Sequence, residues 1–292
     1  MTSAVADIPR LPRTHSWSNA TWWVLAVALA VIAAHAVGVI GPATYPIVTL
    51  GGVIVGVIGV LHHRPAIVWP WWSMVFAGVI WTAAGIVREA TGATGDLTTS
   101  RSLLPDLFAL PGYFAFGIAL HGLLKARGAG RERDLLLDGL MIAIGASLVV
   151  HQFLVAPTLA LTDSWVIARL AIVIYPSISM WLLVLAGRLA FSGLERSPAN
   201  YLLLAGTASL VVGDVVFAAG EIGRIDLDEA ALAVPYLLVP ALISAALLHP
   251  SMRNIGRREY QERPVLTRSR MALVGVALLA PVVVLFSDES SE

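Results

Sequence analysis

Apolar residues form nine runs along the chain, and charged residues or proline and glycine clusters separate each run from the next. The runs cover residues 22–40, 45–61, 67–87, 104–124, 135–155, 165–187, 201–220, 230–248 and 271–286. A helix that crosses the hydrocarbon core of a bilayer needs about 17–25 predominantly apolar residues, and the runs come close to that length. The pattern therefore predicts an all-α fold, a polytopic transmembrane helix bundle of about nine helices.

The segments outside the runs are short. Residues 1–21 are predicted to form a cytoplasmic N-terminal segment, residues 22–286 the polytopic membrane domain, and residues 287–292 a short acidic tail. The first run is as long as the others and no small-residue cleavage site follows it, so we expect a retained helix and not a signal peptide. No loop is long enough to fold as a soluble domain of its own.

Composition narrows the function classes. Hydrophobic residues make up 58% of the 292 residues and charged residues 13%, against about 45–50% and 25% in soluble domains. This excludes most soluble enzymes and makes the lipid bilayer the expected partner. The 19 basic and 19 acidic side chains cancel, so charge gives no reason to expect a nucleic acid partner. With no cysteine, disulfides, thiolate metal sites and a cysteine nucleophile are excluded.

The distribution of lysine and arginine predicts the orientation. With the N-terminus in the cytoplasm, the inside segments carry fifteen basic residues, whereas the outside segments carry only Arg88, Arg101 and Arg224. Cytoplasmic loops of membrane proteins carry such an excess of basic residues. We therefore expect a multi-pass protein of the plasma membrane with a cytoplasmic N-terminus and, for nine spans, the acidic tail outside.

An internal repeat is also predicted. At an offset of 128 residues, Gly85 pairs with Gly213, Gly92 with Gly220, and Leu120-His121 with Leu248-His249. The third and fourth spans therefore look like copies of the seventh and eighth. Four spans separate the copies, so both have the same orientation, which makes this a parallel repeat.

Seven polar side chains are predicted to lie in or near the outer half of the spans, and they are the candidate ligand-binding residues. A charge in hydrocarbon costs about 2.5–3.5 kcal/mol on insertion scales, so each needs a partner, a water-filled cavity or a function. One interpretation is a pocket that opens outward and binds a small ligand or senses protons. The other is structural, with an ion pair between Arg169 and Asp214 and the remaining groups reaching the interface. The seven residues are His35, Asp106, His151, Gln152, Arg169, Asp214 and Glu221.

Other marked residues are assigned structural roles. Asp138 lies close to two cytoplasmic arginines and is expected to pair with one of them, while His249 and Pro250 are expected to end the eighth span. The adjacent His62 and His63 are placed in a cytoplasmic loop as interfacial anchors. Five tryptophans are assigned to interfacial belts: Trp22, Trp23, Trp69, Trp71 and Trp72.

No sequence motif indicates catalysis. The chain has no Walker loop, GxSxG elbow, Rossmann fingerprint or SxxK, and no HxxxH or HExxH spacing for a metal. We therefore expect no catalytic residue, no metal and no cofactor.

Several segments are similar to a known family. They are PDLFALPGY (105–113), RERDLLLDGLMIAIG (131–145), RSPANYLLLAG with VVGDVVFAAG (196–220), ALLHPSMR (246–253) and RMALVGVALLAP (270–281). Together they resemble the N-terminal multi-helix membrane region of actinobacterial GGDEF–EAL signalling proteins. The resemblance covers nearly the whole chain, and it implies a bacterial plasma membrane protein. In that family the membrane region precedes cytoplasmic domains that make and degrade cyclic di-GMP, and this chain carries neither domain.

Two functions remain open at this point. The first is a non-enzymatic sensory or signalling input module, which couples a cue at the outer face or in the lipid to a cytoplasmic output domain. The alternative is a small-solute transporter or carrier, since parallel repeats, proline-interrupted helices and intramembrane charges are typical of transport. A membrane-embedded lipid enzyme lacks a visible acid–base pair. An unidentified small ligand and a second copy of the chain, as a homodimer, are the remaining open partners.

Overall fold

The computed structural model describes residues 15–41, 43–91, 103–127, 148, 151–152, 156–157, 166–191, 197–221, 223 and 225–255. These residues are all-α, as predicted, and contain no strand. The helices are α1 His15–Ala36, α2 Thr44–His63, α3 Trp69–Thr91, α4 Leu104–Arg127, α5 Val166–Phe191, α6 Pro198–Glu221 and α7 Glu229–Leu248, followed by a 3₁₀ helix, Pro250–Asn254.

Six of the seven helices, all except α5, are long and apolar enough to cross a membrane, and α5 contains a shorter apolar stretch, Val173–Leu189. The prediction of a multi-pass membrane protein is confirmed at this level. The predicted span over 271–286 lies outside the described residues, and of the span over 135–155 only residues 148, 151 and 152 are described. The total of nine helices therefore stays a prediction, as does the internal repeat.

The first helix begins earlier than the apolar pattern indicated. α1 starts at His15 and not at residue 22, and it ends at Ala36, just before Gly38 adopts a positive φ of 75°. The polar residues ahead of the apolar run are helical, and the Thr21 hydroxyl donates to the Trp17 carbonyl at 3.0 Å. Apolarity marks where a helix can lie in hydrocarbon, whereas the helix itself continues as long as its backbone bonds are made.

Six helices form a closed ring. In order around it, α2 packs against α3, α3 against α4, α4 against α5, α5 against α6, α6 against α7, and α7 against α2. α1 lies outside this ring, mainly against α7. A closed ring leaves a central space whose width depends on the side chains that point inward.

One end of the ring is tightly packed and basic. Four helices end there, α2, α4, α5 and α7, and three begin there, α1, α3 and α6. A cross-helix bond joins the ends of α4 and α5, where Arg127 Nη1 donates to the Leu189 carbonyl at 2.6 Å. We call it the basic end because it carries five of the seven lysines and arginines that the structure describes: Arg64, Lys125, Arg127, Arg188 and Arg253. We call the opposite end the cavity end.

Close helix contact near the basic end depends on a glycine. A Cβ atom added to Gly59 on α2 would collide with the carbonyl of Leu247 on α7. In the second half of α4, which leads to the basic end, large side chains are fully buried, including Phe116, Leu120 and Leu123. The ring is therefore closely packed around α4 toward the basic end.

Trp71 corrects one expectation. Its side chain is 0% exposed, so it belongs to this core and not to an interfacial belt. The other four belt tryptophans are exposed, from 39% for Trp72 to 73% for Trp23. Position along the chain gives the depth of a residue, but which side of a helix faces lipid depends on the neighbouring helices.

The prediction that His63 lies in a loop as an interfacial anchor is wrong. This histidine is the last residue of α2 and not a loop residue, it is 3% exposed, and its Nε2 lies 2.6 Å from the carbonyl oxygen of Leu248. The bond joins the ends of α2 and α7. His62, its exposed neighbour, stacks on Trp17 of α1 with ring centroids 3.9 Å apart.

Candidate functional site

The ring encloses a cavity of about 900 Å³, which reaches from the cavity end toward the basic end along α2, α3 and α7. All six ring helices contribute to its wall, and the segment after α1 borders its mouth. Along α7 the wall extends from Glu229 near the mouth to Leu247 near the basic end. A volume of this size accommodates a ligand of drug-like dimensions.

Asp214 on α6 is the most deeply buried charged side chain of the cavity wall. It is 2% exposed. The Tyr113 hydroxyl, on α4, donates to its Oδ1 at 2.8 Å and to its Oδ2 at 3.0 Å. The Tyr236 hydroxyl, on α7, donates to Oδ1 at 2.9 Å. One carboxylate thus connects three helices.

Glycines bring these groups together. Gly213 precedes Asp214, and a Cβ atom there would lie 3.0 Å from the ring of Tyr236, so a larger residue would have to push that ring aside. Gly112, the residue before Tyr113, faces Trp81 of α3 with similarly little room. The Trp81 indole donates to the Ala109 carbonyl at 3.3 Å. Small residues therefore fix where the tyrosine rings lie.

A second carboxylate and tyrosine pair lies nearer the mouth. The Tyr175 hydroxyl, on α5, donates to Asp106 Oδ1 at 2.5 Å and connects α5 to the first turn of α4. The rings of Tyr113 and Tyr175 are in edge contact, with centroids 5.3 Å apart. The two pairs therefore form one continuous polar and aromatic wall.

Each of these tyrosines has a helix-interior proline next to it or two residues away. The pairs are Pro111 with Tyr113, Tyr175 with Pro176, and Pro235 with Tyr236. A proline inside a helix removes one backbone hydrogen bond and bends or weakens the helix at that turn. The polar contacts of the cavity are therefore made where α4, α5 and α7 are least stiff.

The mouth carries most of the remaining charge. The Arg88 guanidinium lies over the Phe217 ring, 5.3 Å from its centroid. Glu89, Asp228 and Glu229 are exposed there, and Asp228 caps α7 by accepting the Ala231 N–H at 2.8 Å.

His35 borders the same cavity from the end of α1. It is only 8% exposed. Both of its ring nitrogens are buried, and neither has a hydrogen-bond partner among the residues that the structure describes. A buried polar group without a partner is costly and calls for an explanation.

The structure brings three of the seven candidate ligand-binding residues to one place: His35, Asp106 and Asp214 all line the cavity. Arg169 lies in α5 and Glu221 ends α6, but their side chains are outside the described residues, so the Arg169–Asp214 pair stays a prediction. His151 and Gln152 belong to a short described piece that is not part of the described cavity wall.

The candidate structural residues are placed as follows. Asp138 is outside the described residues. α7 ends at Leu248, and His249 caps the 3₁₀ helix that starts at Pro250, with its Nδ1 accepting the Ser251 N–H at 3.1 Å. The Ser251 hydroxyl oxygen in turn accepts the Ala199 N–H at 3.1 Å in the first turn of α6. Burial lowers the pKa of His249 below its ordinary value.

Sequence reasoning missed the tyrosines. The seven candidate residues carry a charge, an imidazole or an amide, and none of them is a phenol such as Tyr113, Tyr175 or Tyr236. A tyrosine near a proline or glycine inside an apolar run was the available signal, since a phenol buried in a bundle needs an acceptor. Among the described residues no group of three or more His, Cys, Asp or Glu side chains is placed to hold a metal ion.

Comparisons of the chain with protein-family profiles, with curated proteins and with solved structures gave no match.

Proposed function

We propose that the chain is a non-enzymatic membrane sensory module, in which a small ligand binds in the cavity and changes the packing at the basic end. The observation that carries this proposal is the position of Asp214. It is buried in the wall of a large cavity and held by hydroxyls from α4 and α7. A ligand that bonds to this carboxylate competes with contacts that fix three helices relative to one another.

Two of these helices, α4 and α7, can transmit a change in the cavity to the basic end. α4 and α7 pass from the tyrosines to the basic end, where Leu120, Leu123 and Leu248 are buried. Packed side chains shift between discrete arrangements more readily than they deform. The prolines near Tyr113 and Tyr236 give α4 and α7 a place to bend.

Charge supports the orientation in this proposal. Five of the seven lysines and arginines in the described part of the chain lie at the basic end, and all seven described Asp and Glu residues belong to the other half. By the excess of basic residues, the basic end is cytoplasmic and the cavity faces outward. A signalling output, of the kind implied by the resemblance to GGDEF–EAL proteins, would then join on the cytoplasmic side.

Distance measurement tests the coupling. The chain has no cysteine, so spin labels on Ala66→Cys and Lys125→Cys, both exposed at the basic end, report one defined distance in nanodiscs. We expect Asp214→Asn to shift or broaden that distance distribution. Asp226→Asn, an exposed residue outside the cavity wall, is the matched control and should change nothing. An identical distribution in all three proteins contradicts the proposal.

Transport is the second candidate, and the depth of the cavity favours it. From Glu229 to Leu247 the wall follows 19 residues of α7, a length of about 27 Å at a rise of 1.5 Å per residue. A transporter must open this space to each side in turn. A sensor need not.

Ser244, a buried residue of the cavity wall, separates the two functions. A Ser244→Cys variant in oriented vesicles is treated with a small impermeant thiol reagent from one side and then from the other. Ala66→Cys and Asp226→Cys serve as references for the two faces. Reaction from the cavity end alone fits the sensory module. Reaction from both sides favours the transporter.

A further inference from the structure

Among the residues that the structure describes, the charges of the cavity wall do not balance. This part of the wall contains five carboxylates, those of Glu89, Asp106, Asp214, Asp228 and Glu229, and one guanidinium, that of Arg88. Within the described residues no Lys, Arg or His nitrogen lies within ion-pair distance of any of the five. Asp214 has only neutral hydroxyls as partners there. A buried carboxylate without a counter-charge is costly in a low-dielectric site, so a ligand that brings a positive charge is favoured over one that brings a negative charge.

Aromatic rings surround the same position. Tyr113 and Tyr236 contact Asp214, Trp81 meets Tyr113 edge to face with centroids 5.5 Å apart, and Phe217 lies near the mouth. The face of an aromatic ring attracts cations, most strongly where water is excluded. The cation–π contact of Arg88 with Phe217 shows that one such ring already holds a positive group.

His35 specifies the ligand further. It is 92% buried and faces the cavity with no partner for either ring nitrogen in the described part of the chain. A neutral imidazole has one nitrogen that accepts a hydrogen bond. A ligand with an N–H group satisfies that acceptor, whereas a quaternary ammonium ion does not.

The deep part of the cavity is apolar. Met74, Ile243 and Leu247 line it toward the basic end. A ligand that fills the space therefore needs an apolar body as well as a charged head.

We propose that the cavity binds a protonated amine with an apolar body, its ammonium group between the carboxylates and the aromatic rings. This inference rests on the proposed ligand-binding function and names the class of ligand. The ammonium comes either from a soluble amine or from the headgroup of an aminophospholipid.

Calorimetric titration of the protein in phosphatidylglycerol nanodiscs tests the class, with empty nanodiscs subtracted. The probes share one skeleton: 4-phenylbutylamine, its N,N,N-trimethyl derivative, 4-phenylbutanol and 4-phenylbutyrate. We expect saturable binding of the primary amine, at least about tenfold tighter than the alcohol or the carboxylate, because a charge-assisted hydrogen bond is worth that factor. The trimethyl derivative should bind more weakly than the primary amine, since it cannot donate to His35.

Variants locate the site. Asp214→Asn should weaken binding of 4-phenylbutylamine by about tenfold or more, and the exposed control Asp226→Asn should not. If Asp214→Asn fails to fold, Asp106→Asn and the probe series on the unaltered protein still test whether the cavity binds the amine.

Nanodiscs that also contain phosphatidylethanolamine distinguish a lipid headgroup from a soluble amine as the source of the ammonium group. Competition with the amine assigns the site to the lipid headgroup, and no competition assigns it to a soluble amine.

Two results would overturn the inference. Binding of the alcohol or the carboxylate as tightly as the amine would show a ligand cavity without a preference for cations, and the sensory proposal would stand. Absence of saturable amine binding would remove the ligand class, while the distance measurement at the basic end judges the coupling independently.

Discussion

The hydroxyl of Tyr113 donates to both carboxylate oxygens of Asp214, at 2.8 and 3.0 Å, across the space between α4 and α6. These helices are not neighbours in the ring, because α5 lies between them. The bond therefore connects two helices of the cavity wall that α5 separates in the ring.

Removal of this donor should destabilise the protein. Tyr113→Phe keeps the ring but leaves part of a buried carboxylate unsatisfied, so we expect the free energy of unfolding to fall by about 1–2 kcal/mol. Tyr201→Phe is the matched control, because Tyr201 is 43% exposed and lies outside the cavity wall. Reversible unfolding in mixed micelles measures the difference. A double-mutant cycle of Tyr113→Phe with Asp214→Asn should give a coupling above about 0.5 kcal/mol, and a smaller value would show that the two side chains act independently.

The glycine contact near the basic end gives a second prediction. Gly59→Ala places a methyl group against the backbone of Leu247, and since backbone cannot move aside cheaply, we expect a loss of about 1–3 kcal/mol. Gly51→Ala lies in the same helix with no atom within 4 Å of the new methyl group. It should stabilise the protein by about 0.5–1 kcal/mol through helix propensity. Equal effects of the two variants on thermal stability would contradict the close approach of α2 and α7.

Much of the fold follows from the sequence because hydrophobic length is a strong physical signal. The runs over 45–61 and 230–248 correspond to α2 and α7 within a few residues. Helix packing is a different matter. Trp71 and His63 are residue types that are common at the membrane interface, and both are nevertheless buried. Their burial depends on which helices pack around them, and the sequence pattern does not show this.

Part of the candidate site could be predicted from the sequence. His35, Asp106 and Asp214 stand out because a polar group in hydrocarbon is expensive, and depth alone places them in the same half of the membrane. Which partners they have depends on long-range packing. The hydroxyls of Tyr175 and Tyr236 reach their carboxylates across 69 and 22 residues of sequence, and no local pattern encodes that proximity.

Cysteine labelling tests the orientation. Ala66, in the loop between α2 and α3, and Asp226, before α7, are both exposed and lie at opposite ends of the ring. In intact cells an impermeant maleimide should label Asp226→Cys and leave Ala66→Cys unlabelled until the membrane is permeabilised. The reverse pattern would place the basic end outside, against the excess of lysine and arginine there.

The last prediction concerns pH. Burial of His249 at the end of α7 lowers its pKa from the ordinary 6.5, so the folded state favours the neutral imidazole. The unfolded chain then binds more protons near that pH, and stability rises with pH. The stability that depends on the neutral imidazole of His249 is fully present above about pH 6.5 and is lost as the pH falls below that value. The free energy of unfolding of the unaltered protein should therefore decrease between pH 7 and pH 5.

The variant His249→Asn tests the contribution of this group. Asparagine still accepts the Ser251 N–H as an N-cap but cannot take up a proton, so the variant should lose less stability over the same pH range. His63 titrates in both proteins and interacts with His249, so the difference between the two slopes measures His249 together with this interaction. Parallel slopes for the unaltered protein and His249→Asn would show that burial of His249 does not contribute to the pH dependence.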